Sequence, residues 1–273
     1  MFERLLIAVD GSDCATRAAT YGVGLATRYD ADVELAAVYD GDADRGEAVL
    51  DAAADRAAEH GVDAETTLLS GKPGRTIAQH ASDSGADLLV IGRTGRSGVA
   101  QRLLGSVTER VLRRSEVPVL TVPDSDVGTP GGDVLVTTDG SDLAAAAGPY
   151  AADLARHFEA SLHVLNAVDV QAEAGVFDAG GVSKDYVERL EAKGREAVDD
   201  LLAGLDTTDF DVREAVVRGA AADAIADYAA DNDVGLLVMS SEGQSNLAGQ
   251  RLGTVAGRVL RTVDRPVLVI TSS

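Results

Sequence analysis

One aspartate and a short ladder of glycines hold the residue types that could do chemistry. The run Leu5-Leu6-Ile7-Ala8-Val9 ends at Asp10-Gly11-Ser12. A second apolar run, Asp87-Leu88-Leu89-Val90-Ile91, ends at Gly92, and Gly95, Gly105 and Ser106 follow in the pattern Gly-x2-Gly-x9-Gly-Ser. Val107, Val111 and Leu112 then recur at helical spacing. Strand, glycine-rich loop and helix start together present backbone N–H groups to an anion. Glycine lets the main chain approach a phosphate, and it tolerates the positive φ that a loop of successive donors often needs. Arg93, Arg96 and Arg102 add positive charge beside the loop of an otherwise acidic chain. The chemistry this spacing points to is nucleotide recognition: a carboxylate toward ribose hydroxyls or an adenine amino group, and N–H groups toward phosphates.

The elements that must position these groups follow one another simply. The strand Leu5–Val9 leads into an alanine-rich helix ending near Tyr29, capped by Ser12 or Asp13. Strands at Asp32–Tyr39 and Val62–Leu69 flank a helix over Asp44–Glu59 that stops at Gly61. Gly71-Lys72-Pro73-Gly74 turns into a helix over Thr76–Ser82. The strand Asp87–Ile91, the glycine loop, a helix to about Arg114 and the strand Val117–Val122 complete the set. Strands alternating with helices imply parallel pairing, and near-continuous apolar strands imply a sheet covered on both faces. In such a sheet ligands sit beyond the carboxyl ends of the strands, where the strand order reverses. Asp10 and the Gly92–Gly95 loop both fall there.

Pro123 to Gly132 is a Pro/Gly/Ser-rich linker, after which the pattern restarts. Asp139-Gly140-Ser141 repeats Asp10-Gly11-Ser12 at an offset of 129. Gly243 and Gly253 repeat Gly95 and Gly105 at an offset of 148, as does Arg265–Ile270 for Val117–Val122. The growth in offset places an insertion near Gln171 to Lys184. The fold class read from this is α/β, as two repeated, doubly wound, five-stranded parallel-sheet domains over residues 1–124 and 132–273.

The Gly92-x2-Gly95-x9-Gly105-Ser106 spacing resembles the ATP-binding motif of universal stress proteins. The opening strand ending at Asp10, the strand Leu35–Asp40, the Gly71-Lys72-Pro73 turn and the Val117-Pro118-Val119 strand resemble that family too. The resemblance covers both halves and implies a tandem member that binds ATP, which magnesium could accompany. By that resemblance Asp10 contacts the nucleoside and Val38 lines the adenine pocket, while Gly92, Gly95, Gly105, Ser106 and Val107 contact ribose and phosphates. Family members pair through the last strand, so the two halves of a tandem chain can pair with each other, and a further homodimer is open to it.

The second half keeps Asp139, Gly243, Gly253 and Thr254 as its candidate site but departs elsewhere. Ser240 replaces Gly92, Ser241 replaces Arg93, Glu242 replaces Thr94, Gln244 replaces Arg96 and Ala221 replaces Pro73. A carboxylate about 5–6 Å from a phosphate costs roughly a kcal/mol or more at intermediate dielectric. A tighter site in the first half and a weak or empty one in the second is therefore expected.

Plainer accounts exist for each piece. Asp-Gly-Ser is often only a helix cap, a glycine loop only a tight turn, and Arg102, Arg110, Arg113 and Arg114 only a solvated helix face. The whole constellation, placed twice, is harder to dismiss than any one piece. Catalysis is not expected, because no general base stands next to a nucleophile, no P-loop signature is present, and His60, His80, His157 and His163 lack metal-ligand spacing. These histidines read as surface or packing residues. The alternatives are an enzyme using the same crevice for ATP hydrolysis or nucleotidyl transfer, and a structural dimerisation module with vestigial loops.

Composition narrows the class. A net charge of −21, from 45 acidic and 24 basic residues, repels nucleic acid and anionic membrane surfaces. Aspartate dominance with only three lysines points to adaptation to high salt, as in a halophilic archaeon. The single cysteine, Cys14, reads as a small core residue. No membrane span or signal peptide is evident, so a cytoplasmic protein is expected.

Overall fold

The computed structural model describes residues 1–39, 41, 43–95, 104–170, 184–243 and 252–271. The expectations placed on Asp40, Arg96, Arg102, Gln244 and segment 171–183 lie outside the described residues. The chain forms two compact units: Met1–Pro130 with Asp264–Ser273, and Gly131–Val263.

Unit 1 is built from β1 (Arg4–Ala8), α1 (Asp13–Tyr29), β2 (Asp32–Val38), α2 (Ala43–Glu59), β3 (Ala64–Leu69), α3 (Pro73–Asp83), β4 (Leu88–Gly92), α4 (Ser106–Leu112) and β5 (Val119–Val122). Its strand order is β3-β2-β1-β4-β5, and these pairings are parallel. The order reverses between β1 and β4, so the doubly wound expectation holds. Successive residues Leu5, Leu6 and Ile7 are all fully buried. Both faces of β1 are therefore covered, as its unbroken apolar run requires. Cys14 is a buried core residue whose thiol donates to the Val122 carbonyl at 3.6 Å.

Unit 1 also holds β10 (Val267–Ile270), which is antiparallel to β5 with Val267 opposite Thr121. In sequence this strand closes the second repeat. In space it extends the sheet of the first.

Unit 2 contains β6 (Val134–Thr137), α5 (Asp142–Ala145), α6 (Gly148–Phe158), β7 (Leu162–Val168), α7 (Lys184–Ala203), β8 (Val212–Arg218), α8 (Ala221–Asp231), β9 (Leu236–Ser240) and α9 (Thr254–Thr262). The order β9-β6-β7-β8 repeats that of β4-β1-β2-β3, again parallel. One departure is local. The counterpart of α1 is broken into α5 and α6, with Pro149 in the first turn of α6. Proline has no N–H for the helical ladder and disfavours helical geometry at the residue before it, so it starts a helix here rather than continuing one.

Among the described residues each unit buries a polar cluster on the corresponding rung of its sheet, and the two clusters are inverted in charge. In unit 1, Glu34 on β2 is 3% exposed and accepts from His80 Nε2 at 2.6 Å, Thr67 Oγ1 at 2.7 Å and Arg4 Nη2 at 3.1 Å. Glu34 lies opposite Leu6 and Glu65 in the ladder. The same row in unit 2 is Leu135, His163 and Arg213. His163 is fully buried; its Nε2 lies 3.1 Å from Asp133 Oδ2 and its Nδ1 lies 3.1 Å from the Tyr228 hydroxyl. Partner chemistry sets the tautomer: Nε2–H donates to the carboxylate and Nδ1 accepts from the phenol. Arg4, Glu34, Glu65 and His80 thus become Asp133, His163, Arg213 and Tyr228 at the offsets of the repeat. The surface-or-packing reading of the histidines holds for His60, which is exposed, and misses the polar roles of His80 and His163.

Candidate functional site

Asp10 sits just past the end of β1, within the turn Asp10-Gly11-Ser12. Gly11 has φ +80°, a left-handed conformation that side-chain-bearing residues rarely adopt. The turn lets Asp10 Oδ1 accept from Ser12 N at 2.9 Å and Ser12 Oγ at 2.6 Å, while Ser12 Oγ in turn accepts from Ala15 N at 3.2 Å. The plain helix-cap account of Asp-Gly-Ser is thus correct for Ser12 and for one oxygen of Asp10. The other oxygen faces the glycine loop: a Cβ built on Gly95 would lie 3.0 Å from Asp10 Oδ2.

The glycines are required for close approach rather than for positive φ, which none of Gly92, Gly95 and Gly105 has. A Cβ on Gly92 would meet the Sγ of Cys14 at 2.9 Å and its backbone at 3.0 Å. One on Gly105 would lie 3.0 Å from the Arg93 carbonyl. The loop is closed at its base by Gly105 N donating to Arg93 O at 2.7 Å, and Arg93 N donates to Val122 O at 2.8 Å. Those two amides are therefore spent within the protein. The donors left for a ligand lie one step further on. Gly105 is the N-cap of α4 and offers no side-chain cap, and Glu109 N is the first helical amide bonded back, to Gly105 O. None of the described residues accepts from the N–H groups of Ser106, Val107 or Thr108, and a helix start carries partial positive charge. Thr108 Oγ1 donates to Gly92 O at 2.8 Å and ties this turn to the end of β4.

A cavity of about 270 Å³ lies between these groups. Its lining combines Asp10, Thr94, Thr108, Gly92, Gly95 and Gly105 with the apolar side chains Val38, Pro73, Ile77, Ile91 and Val107. Its size is near the lower end for small-ligand pockets. An apolar slot for a heterocycle, a carboxylate, and uncapped helix amides are the groups an adenine nucleotide needs, so the residues present fit that ligand. Among the described residues no cluster of three or more acids, histidines or cysteines could hold a metal ion.

Of the sequence-derived site residues, Asp10, Val38, Gly92, Gly95, Gly105 and Val107 converge on this cavity, and Ser106 stands exposed at the helix start beside it. Arg93 does not converge. It is 5% exposed, and its guanidinium donates to Thr121 Oγ1 at 3.2 Å and to the Arg265 carbonyl. Burial pulls its pKa down to about 10, against the nearby Asp264 carboxylate, which holds it up. The role read for Arg93, positive charge for a phosphate, gives way to an anchor between the loop base, β5 and the segment leading into β10. We expect Arg93→Met to change ATP affinity less than about threefold. It should speed amide hydrogen exchange in β10 by roughly tenfold, the scale of one lost buried hydrogen bond. An ATP affinity falling tenfold or more would return Arg93 to the phosphate.

Unit 2 repeats the frame with altered lining. Asp139 Oδ1 accepts from Ser141 N at 3.0 Å, and Gly253 N donates to Ser241 O at 2.7 Å. A Cβ on Gly243 would stand 2.5 Å from Asp139 Oδ2. Asp139, Gly243, Gly253 and Thr254 all line a cavity of about 380 Å³, and so does Glu242. Ser240 Oγ donates to Glu242 O at 2.6 Å, and Ala256 stands where Thr108 bonds in unit 1.

Comparison with known proteins matches the chain twice. The profile of the universal stress protein family matches residues 1–123 and 132–271. A universal stress protein of Methanocaldococcus jannaschii is 32% identical over 140 residues, covering 45% of this chain and 82% of its own. One of Mycobacterium tuberculosis is 27% identical over 226 residues, covering 79% and 72%. The crystal structure of a universal stress protein from Archaeoglobus fulgidus superposes with a TM-score of 0.71 at 23% identity, covering 97% of this chain and 95% of that one. That likeness extends the fold across both repeats.

Proposed function

The chain belongs to the universal stress protein family, and on that premise we propose that its first repeat is a receptor for ATP, or a close adenine nucleotide, acting in stress response or signalling. The observation that carries the reading is one cavity lined by Asp10, by Gly95 beside it, and by the uncapped first turn of α4. Val38, Pro73 and Ile77 would flank the base, Asp10 would accept from the ribose hydroxyls, and the amides of Ser106, Val107 and Thr108 would hold phosphate oxygens. Gly92 and Gly105 would act by keeping the loop close. The second repeat, with Asp139, Gly243, Gly253 and Thr254, would hold the same ligand weakly.

We read residues 1–124 and 132–273 as the two repeats, each the other's partner. The antiparallel β5–β10 pairing supports that reading. Among the described residues no helix is long and apolar enough to cross a membrane. We infer a cytoplasmic protein of a salt-rich cell, which the charge of −21 supports.

Titration calorimetry with ATP tests the proposal. One tight site per chain is expected, weakened about tenfold or more by Asp10→Ala, in line with losing a charge-assisted hydrogen bond. Two equal sites, or no binding at millimolar ATP, would contradict it.

A further inference from the structure

In unit 1 the chain leaves β2 at Tyr39, a side chain only 8% exposed. Its hydroxyl donates to the Asp10 carbonyl at 3.0 Å, and a Cβ on Gly46 of α2 would lie 3.1 Å from its ring. Tyr39 therefore bridges the end of β2, the Asp10 turn and α2. The repeat offset puts Val168 at this position in unit 2. Valine has neither the length nor the hydroxyl to reach the Asp139 turn. Asn166 takes part of the room, donating to the Thr138 carbonyl at 2.8 Å beside Gly194. A cavity of about 590 Å³ remains, lined by Val168, Asn166, Leu190 and Lys193 with residues of the α8 and α9 starts. It shares Asp139, Ala167, Ala221, Thr254 and Val255 with the 380 Å³ cleft, so the two adjoin along that wall. Two of the shared residues are themselves truncations, Ala167 for Val38 and Ala221 for Pro73.

We propose that the unit 2 cleft takes a nucleotide elongated past its phosphates, one whose phosphate chain carries a second nucleoside-sized group, as in a dinucleoside polyphosphate. The inference rests on reading the equivalent unit 1 cleft as a nucleotide site. One base lies on the buried wall of Leu165, Ile225 and Met239 in the inner cleft. The phosphates cross the first turn of α9, where Gly253 gives no side-chain cap and Gly257 N is the first helical amide bonded back. Thr254 and Val255 of that turn line both cavities, so the path from one to the other runs over its amides. Lys193 and Arg258, both exposed, line the outer cavity and meet the far end of the phosphate chain. Arg258 also pairs with Asp223 at 2.9 Å, but both side chains are half-exposed, and such a pair holds a guanidinium only weakly. Unit 1 carries Arg45 and Arg110 at the same two positions, so the cations are common to both repeats and the added space is not. The outer cavity exceeds the inner one in volume, so a terminal phosphate alone would leave most of it to water. ATP reaches only the inner cleft and the helix start, which gives its weak binding in this repeat a cause in size.

The test uses the full chain with the first cleft closed by Gly95→Val, and Gly105→Val as an independent second background. Diadenosine tetraphosphate and ATP, which carry similar charge, are titrated into each. The elongated ligand is expected to bind one per chain and at least about tenfold more tightly than ATP. Val168→Tyr, which rebuilds the bridge of unit 1, should bring its affinity down to that of ATP. Lys193→Ala combined with Arg258→Ala, at exposed positions that leave the packing alone, should lower it by about tenfold. This pair decides the matter if Val168→Tyr disturbs the fold. Diadenosine tetraphosphate binding no tighter than ATP, an affinity indifferent to the alanine pair, or no binding of either at millimolar concentration would overturn the inference. Wild-type titration with ATP reads the first cleft separately, so a failure there falls on the unit 1 reading alone.

Discussion

Gly95→Val should abolish ATP binding to the first repeat, lowering affinity by about 100-fold or more, or roughly 2.7 kcal/mol. The reason is local. The first added carbon would already lie 3.0 Å from Asp10 Oδ2, and valine's two methyls would project further into a cavity of only about 270 Å³. Because φ at Gly95 is not positive, the backbone itself tolerates the change. The fold should survive, with secondary structure and unit 2 unchanged by circular dichroism and hydrogen exchange. A variant that binds ATP as the wild type does would place the ligand elsewhere. Gly95→Ala grades the effect: one methyl should cost less than valine, because only the end of the Asp10 side chain has to give by a few tenths of an ångström.

Glu34→Ala should destabilise unit 1 by about 3 kcal/mol, the order seen when one partner of a buried charged network is removed. Glu34 is the common acceptor for Arg4, Thr67 and His80; its loss takes that acceptor from Thr67 and His80 at a nearly closed position, while Arg4 keeps Glu65 at 2.9 Å. Hydrogen exchange of the β1–β3 amides reads this unit by itself, which a single melting curve of a two-unit chain does not. The pH dependence has a definite sign. Burial alone would raise the Glu34 pKa, but the hydrogen bonds from His80, Thr67 and Arg4 outweigh it and hold the carboxyl below its ordinary 4.5. A carboxyl depressed in the folded state adds stability above its unfolded pKa and loses it as pH falls through the folded one. Wild-type unit 1 should therefore lose stability as pH falls below about 4.5, and Glu34→Ala should lose less over the same interval. Equal acid sensitivity in the two proteins would contradict this account of the cluster.

How much of this was legible from residue order can be judged element by element. The strands β1, β2, β4 and β5 are apolar runs bounded by glycine, aspartate or proline, and their sequence positions match the structure to within two residues. The meeting of Asp10 with the glycine loop followed from topology, because both lie at the carboxyl ends of strands on either side of the reversal in strand order. Arg93 was misread because charge type says nothing about side-chain direction. Its side chain leaves the loop toward Thr121 and Arg265, the latter 172 positions away in sequence. The inverted clusters were missed for a similar reason. Glu34 and His163 are single polar residues within apolar strands, a signal that was present. Their partners lie 30 to 65 residues away and emerge only when the two repeats are aligned. The pairing of β10 with β5 was implied only by the family resemblance, through last-strand pairing; an apolar strand by itself carries no mark of which sheet edge it joins.

The measurement that bears most directly on the central claim is a crystal structure of the full chain grown with a non-hydrolysable ATP analogue. The account predicts a base between Val38, Pro73 and Ile77, ribose hydroxyls within hydrogen-bond distance of Asp10, and phosphate oxygens on the amides of Ser106, Val107 and Thr108. An analogue bound away from this cavity, or a cavity left empty at saturating concentration, would contradict it.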